Sequence, residues 1–127
     1  MKKLLLTVLL LTCSTLLTAA PRISHHGERI LKCHKPLFFD VVPADNSKVA
    51  QFQTFSFSTS ANTDIATIKV WVNNQLIKVT SKKLASGRYL VSGQTDQPII
   101  EDKAWIRVVS ESSDGCNGFQ VWNIFIQ

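Results

Sequence analysis

From residue 37 onward, apolar and polar residues alternate with a period of two, and short clusters of Pro, Gly, Asn, Asp and Ser interrupt the alternation. This pattern predicts β-strands joined by turns. Leu37 to Val42 opens the series, and Pro43-Ala44-Asp45-Asn46-Ser47 is a turn, because proline presets φ and Asp and Asn bond their own backbone. Phe52 to Ser60 follows, then Ile65 to Val72. Asn73-Asn74 is a tight turn, since asparagine tolerates positive φ, and it leads into Leu76 to Thr80. Arg88 to Ser92, Ala104 to Ser110 and Phe119 to Ile126 complete the set, with a loop through Pro98 between the first two of these. The expected fold is all-β, a two-sheet antiparallel sandwich of about seven strands over residues 37–127.

The phases of three strands define two faces. Ile68, Val70 and Val72, then Ala104, Ile106 and Val108, then Trp122, Ile124 and Ile126 form unbroken apolar sets and point to the core. The outward residues of the same strands include Trp71, Trp105, Arg107, Phe119, Val121, Asn123 and Phe125. Such a face is unusually apolar for solvated surface, and Trp and Arg dominate binding hot spots. It is therefore the expected contact surface for a protein or glycan, or for a second copy of the chain.

The N-terminus changes the setting. Met1-Lys2-Lys3, the leucine-rich run to Leu17 and Thr18-Ala19-Ala20 have the order of a cleaved secretory signal over residues 1–20. The run is too short and too interrupted for a stable membrane span. Cys13 is preceded by a poor lipobox, with Thr12 where a small Gly, Ala or Ser is expected. Residues 21–36 form a short basic arm, Arg22, Arg29, Lys32 and Lys35 against Glu28. The chain as a whole carries a formal net charge of +5. Residues 37–127 balance eight basic against eight acidic side chains, and no aromatic residue interleaves with the basic ones of the arm. No nucleic-acid partner is expected from that arrangement.

Catalytic signatures are sparse. No serine stands in a Gly-x-Ser-x-Gly elbow, and the five glycines are scattered singly, which excludes a phosphate-cradling loop. All three histidines, His25, His26 and His34, lie in the arm, so no strand carries a general base. Asp96, Glu101 and Asp102 read as a solvated acidic loop. Neither an enzymatic activity nor a cofactor is expected.

Two resemblances enter on particular residues. Pro43 to Val49, the Phe55-Ser56-Phe57-Ser58 strand and the stretch from Ala104 to Gly118 resemble the bacterial immunoglobulin-like domains of exported proteins. The Pro43-Ala44-Asp45 turn is also similar to that of the CopC-type periplasmic copper carriers. In that family a histidine at the mature N-terminus holds the metal together with further His and Asp ligands. Here the corresponding turn reads Asp114-Gly115-Cys116-Asn117, without histidine.

In a sandwich of immunoglobulin topology, the start of the first strand and the loop between the last two strands lie at the same end. Cys33 and Cys116 occupy those two places, and an exported chain favours their pairing. The bridge closes a loop of about 83 residues and contributes on the order of 4 kcal/mol in the chain-entropy picture. Taken together, the residues predict a secreted, non-enzymatic binding module, effector- or adhesin-like, acting through the aromatic face. The alternative is a periplasmic copper or zinc handling protein using His25, His26 and His34.

Overall fold

The structure is a computed structural model and describes residues 32–127. The expected signal sequence, Cys13, His25 and His26 lie outside the described residues. Nine strands form, in order β1 (Phe38–Val42), β2 (Lys48–Val49), β3 (Phe52–Thr59), β4 (Thr63–Val72), β5 (Gln75–Ile77), β6 (Val79–Lys83), β7 (Tyr89–Ile99), β8 (Lys103–Ser112) and β9 (Asn117–Ile126). They build two sheets, β1-β3-β7-β6 and β2-β9-β8-β4-β5. The all-β, two-sheet sandwich stands as expected; the strand count and the wholly antiparallel pairing do not.

The differences have local causes. The expected strand over Leu76 to Thr80 is two strands, β5 and β6, that belong to different sheets. Lys78 lies between them, so the chain crosses from one layer to the other within a single residue. The turn after Pro43 conceals β2, which runs parallel to β9 with Lys48 opposite Phe125 and Val49 opposite Ile126. Its approach is fixed by Asp45, whose carboxylate Oδ1 accepts from the Asn123 amide at 2.8 Å, while the Asn46 amide donates to the Asn123 carbonyl at 2.7 Å. β7 runs on through Pro98. Its pairing with β3 shifts between Thr54↔Gln94 and Phe52↔Ile99, a bulge in which a residue without an N–H costs no ladder bond. The Thr95 hydroxyl donates to the Gln97 carbonyl at 2.6 Å inside that bulge.

The same shift repairs the phase of β3. Phe52, Phe55 and Phe57 are all buried, although Phe52 and Phe55 are an odd number of residues apart. Their rings stack along one layer at 6.1 and 6.4 Å, and Phe57 meets Trp122 of the other sheet at 5.2 Å. Gly93 pairs with Phe55, and a Cβ there would lie 2.7 Å from the Phe55 ring, so the ring occupies the space that only glycine leaves. Val70, Val72, Ala104, Ile106, Val108 and Ile124 complete the core from the second sheet, matching the inward sets read from the alternation. At Asn73-Asn74 both residues have positive φ, 47° and 68°, and β4 and β5 pair directly across them.

Candidate functional site

The chemistry-bearing residues collect at one end of the sandwich, where the segment before β1 crosses the turn between β8 and β9. Cys33 and Cys116 are disulfide-bonded, their Cα atoms 5.6 Å apart, as the topology argument required. The next residue, His34, places Nδ1 3.4 Å from Asp114 Oδ2. The two segments are thus joined twice, once through sulfur and once through an imidazole and a carboxylate. His34 is 74% exposed and Asp114 49% exposed, so both keep open faces toward solvent. Cys33 is exposed as well, whereas Cys116 is buried at 4%.

The frame beneath these side chains does not depend on the bridge. In the β8–β9 turn, the Ser112 amide donates to the Cys116 carbonyl at 2.8 Å and the Cys116 amide donates to the Ser112 hydroxyl at 3.1 Å. On the other side, Asn62 Nδ2 donates to the His34 carbonyl at 3.2 Å, and the Asn62 carbonyl accepts from the Ser113 amide at 2.8 Å. Asn62 therefore holds both segments at once. Leu37 and Ser60 add a reciprocal pair, amide to hydroxyl and amide to carbonyl, each at 2.9 Å. Pro36 is buried against Gly118, where a Cβ would meet Pro36 Cγ at 2.6 Å. The last residues of the arm are accordingly strapped to the sandwich, and His34 sits on a fixed support. Sequence reasoning found the cysteines and His34 but missed Asn62. A polar residue in a Ser-Ala-Asn-Thr turn gives no sign that it bonds chain some 28 residues away.

Of the three or more donors a metal site needs, this end supplies the His34 imidazole. Among the described residues no group of three His, Cys, Asp or Glu side chains is placed to hold an ion. The histidines that could complete a set, His25 and His26, lie outside the described residues. The contact with Asp114 Oδ2 occupies the Nδ1 side of His34. A carboxylate on one imidazole nitrogen orients the ring and leaves the other nitrogen for the metal.

The aromatic face lies where the strand phases put it. Trp71, Arg107 and Val121 align across β4, β8 and β9, and Trp105 pairs with Asn123. Phe119 is 65% and Phe125 39% exposed. Trp71, Trp105, Arg107, Val121 and Asn123, however, are only partly exposed. The Arg107 guanidinium lies 4.4 Å from the Trp71 ring centroid, and its Nε is buried with no hydrogen-bond partner. Trp71 and Arg107 are thus engaged with each other in a cation–π contact.

No protein-family model matches the sequence, and no curated protein matches it. Solved structures do. CopC from Methylosinus trichosporium OB3b is similar, with a TM-score of 0.56 at 12% identity over 72% of this chain and 93% of that one. PcoC, a methionine-rich copper resistance protein from Escherichia coli, is similar with a TM-score of 0.55 at 14% identity, over 74% of this chain and all of its own. The fold is therefore that of a CopC-type β-sandwich. This overturns the expectation of an effector- or adhesin-like module acting through the aromatic face. PcoC is a copper resistance protein, and two of the residues expected to bind, Trp71 and Arg107, are packed on each other. No helix among the described residues is long and apolar enough to cross a membrane.

Proposed function

We propose that this protein is an exported, non-enzymatic copper-handling protein that holds copper(II) as cargo at the strapped end of the sandwich. One observation carries the reading. In a fold similar to that of a copper resistance protein, the histidine and the carboxylate of the described end face each other at 3.4 Å, open to solvent and fixed from below. Imidazole is a good donor for copper(II), and an exposed pair permits loading and release. His34 supplies the donor on the fixed side, through the nitrogen turned away from Asp114. His25 and His26 supply the remainder. The disulfide keeps both sulfurs out of the copper(II) site and suits the oxidising compartment that the signal sequence implies.

The test is a copper(II) titration of the oxidised mature protein, followed by visible absorption and electron paramagnetic resonance. One equivalent should bind with a nitrogen-rich spectrum, and the equivalent should be lost in a variant with His25, His26 and His34 all changed to alanine. Binding that survives in the triple variant, or no binding in the parent, would remove the proposal. Zinc added in competition distinguishes a copper site from a general divalent one, since copper(II) outranks zinc on an N/O donor set.

A further inference from the structure

Two sheets have four outer margins, and three of them are closed. β9 is covered by β2, itself two residues long. β5 is only three residues long. β1 is bent at Asp40, whose φ is 55°, and its pairing with β3 shifts between Phe39 and Val42. The fourth margin, β6, is different. It pairs with β7 in unbroken register from Val79↔Gly93 to Lys83↔Tyr89, and among the described residues no strand lies on its other side. Just beyond the last pair, the Leu84 amide donates to the Arg88 carbonyl at 2.8 Å. Successive residues of a strand turn their amides to opposite sides, so the N–H and C=O groups of Val79, Ser81 and Lys83 point away from β7.

A groove of about 490 Å³ runs beside this bare edge. Ile65, Ile68, Ile77 and Val79 supply apolar walls, and Lys69 and Lys78 supply cations. Val79 and Ser81 line the groove, so alternation puts Thr80 and Lys82 on the opposite side of β6. Lys78, at the crossing between the sheets, also lines a depression with Thr80 on that opposite side. Residues 75–83 contain three lysines and no carboxylate. Among the described residues, none of Lys69, Lys78, Lys82 and Lys83 forms an ion pair.

We propose that β6 is a docking edge for an extended acidic segment of a partner protein, which adds as a further strand to the sheet β1-β3-β7-β6. Main-chain bonds to Ser81 and Lys83 hold the segment. Every second side chain is apolar and enters the groove, and the carboxylates between them meet Lys78 and Lys82. Charge selects this occupant over those the chain itself could offer. A second copy of β6 would bring Lys82 and Lys83 against the same lysines, and residues 21–36 carry four basic side chains against one acidic one. Like charges opposed across a strand pair destabilise it. The lysines that turn away another copy of this chain are thus the ones that draw an acidic strand.

The test uses the oxidised mature protein, isotope-labelled for amide detection by nuclear magnetic resonance. The probe is a blocked heptapeptide, Glu-Val-Glu-Val-Glu-Val-Glu, with Lys-Val-Lys-Val-Lys-Val-Lys as the charge-inverted control. The acidic probe should bind about tenfold or more tightly than the control. Hydrogen exchange at the Ser81 and Lys83 amides should slow as the acidic probe saturates, with that of Lys82 unchanged. Lys78→Glu combined with Lys82→Glu should reverse the preference between the two probes. Ser81→Pro removes a donor that faces away from β7 and should abolish binding without costing a ladder bond. Near-ultraviolet circular dichroism of the buried Trp122 checks that each variant keeps the sandwich. No binding of the acidic probe at millimolar concentration, equal binding of the two probes, exchange protection away from β6, or a preference that survives the double charge variant overturns the proposal. Protection of Ser81 and Lys83 without any probe also overturns it. Protection that grows with protein concentration assigns the edge to a second copy, and protection lost on removing residues 21–31 assigns it to the arm.

Discussion

The strapped end and the aromatic sheet face both concentrate the residue types that bind things, yet they are built in opposite ways. The end is held by long-range bonds below its functional side chains: a disulfide, the Asn62 bonds to two segments and the Pro36–Gly118 contact. His34 and Asp114 consequently stay exposed without being loose. On the sheet face the functional groups are the packing itself, since Arg107 lies on Trp71 and leaves its Nε without a partner. A rigid support with free donors is what reversible ion binding needs. The difference between the two regions lies in where the structural bonds sit relative to the chemistry rather than in composition.

Substitutions can break this comparison, and the staple gives the largest expected effect. Cys33→Ser with Cys116→Ser should lower stability by on the order of 4 kcal/mol in denaturant unfolding, by freeing a loop of 83 residues in the unfolded chain. A loss no larger than that of a sheet-face variant would show that the end is not specially tied. Gly118→Val comes next, at about 1–3 kcal/mol, because the new side chain overlaps Pro36. Its melting temperature should fall below that of the parent protein, since the new Cβ would also lie 2.7 Å from the Pro36 carbonyl oxygen. On the face, Trp71→Ala should cost about 1 kcal/mol through the lost cation–π contact and leave copper uptake unchanged; reduced uptake would tie the face to the site. The smallest stability effect belongs to His34→Ala, within about 0.5 kcal/mol for an exposed side chain, together with a clear loss of copper(II) affinity. A large destabilisation there would make His34 a structural residue.

Much of the fold was legible because alternation reports burial directly. Ala104, Ile106 and Val108 in β8, and Trp122 and Ile124 in β9, are inward for the reason their spacing gives. What alternation does not encode is which sheet a strand joins. Leu76 to Thr80 reads as one strand, and only the tertiary structure divides it at Lys78. β2 was hidden because two residues are too few to show a period. Pro98 argued for a loop, yet the bulge opposite Gln53 removes the need for its missing N–H. At the site, the cysteine pairing followed from topology and His34 from its position beside Cys33. The contact with Asp114 and the part played by Asn62 are properties of turns brought together from distant parts of the chain, and nothing local marks them. The function first favoured by the sequence rested on correctly phased outward aromatics. Outward orientation is legible in a strand, but saturation by a neighbour on the next strand is not.

The clamp of β2 and Asp45 along β9 has a consequence for how the molecule behaves among its own kind. β9 is ten residues long, ends in Val-Trp-Asn-Ile-Phe-Ile and carries no charge, the profile of a segment that templates cross-β growth when its backbone is bare. With Asp45, Asn46, Ser47 and Val49 already bonded to it, that backbone is no longer free to recruit a stranger. The outer strand of the other sheet, β6, ends in Lys82 and Lys83, which repel a like neighbour approaching its rim. The edge of β9 is thus covered by the short detour after Pro43, and a mutation that loosens that detour would bare a strand able to pair with another chain.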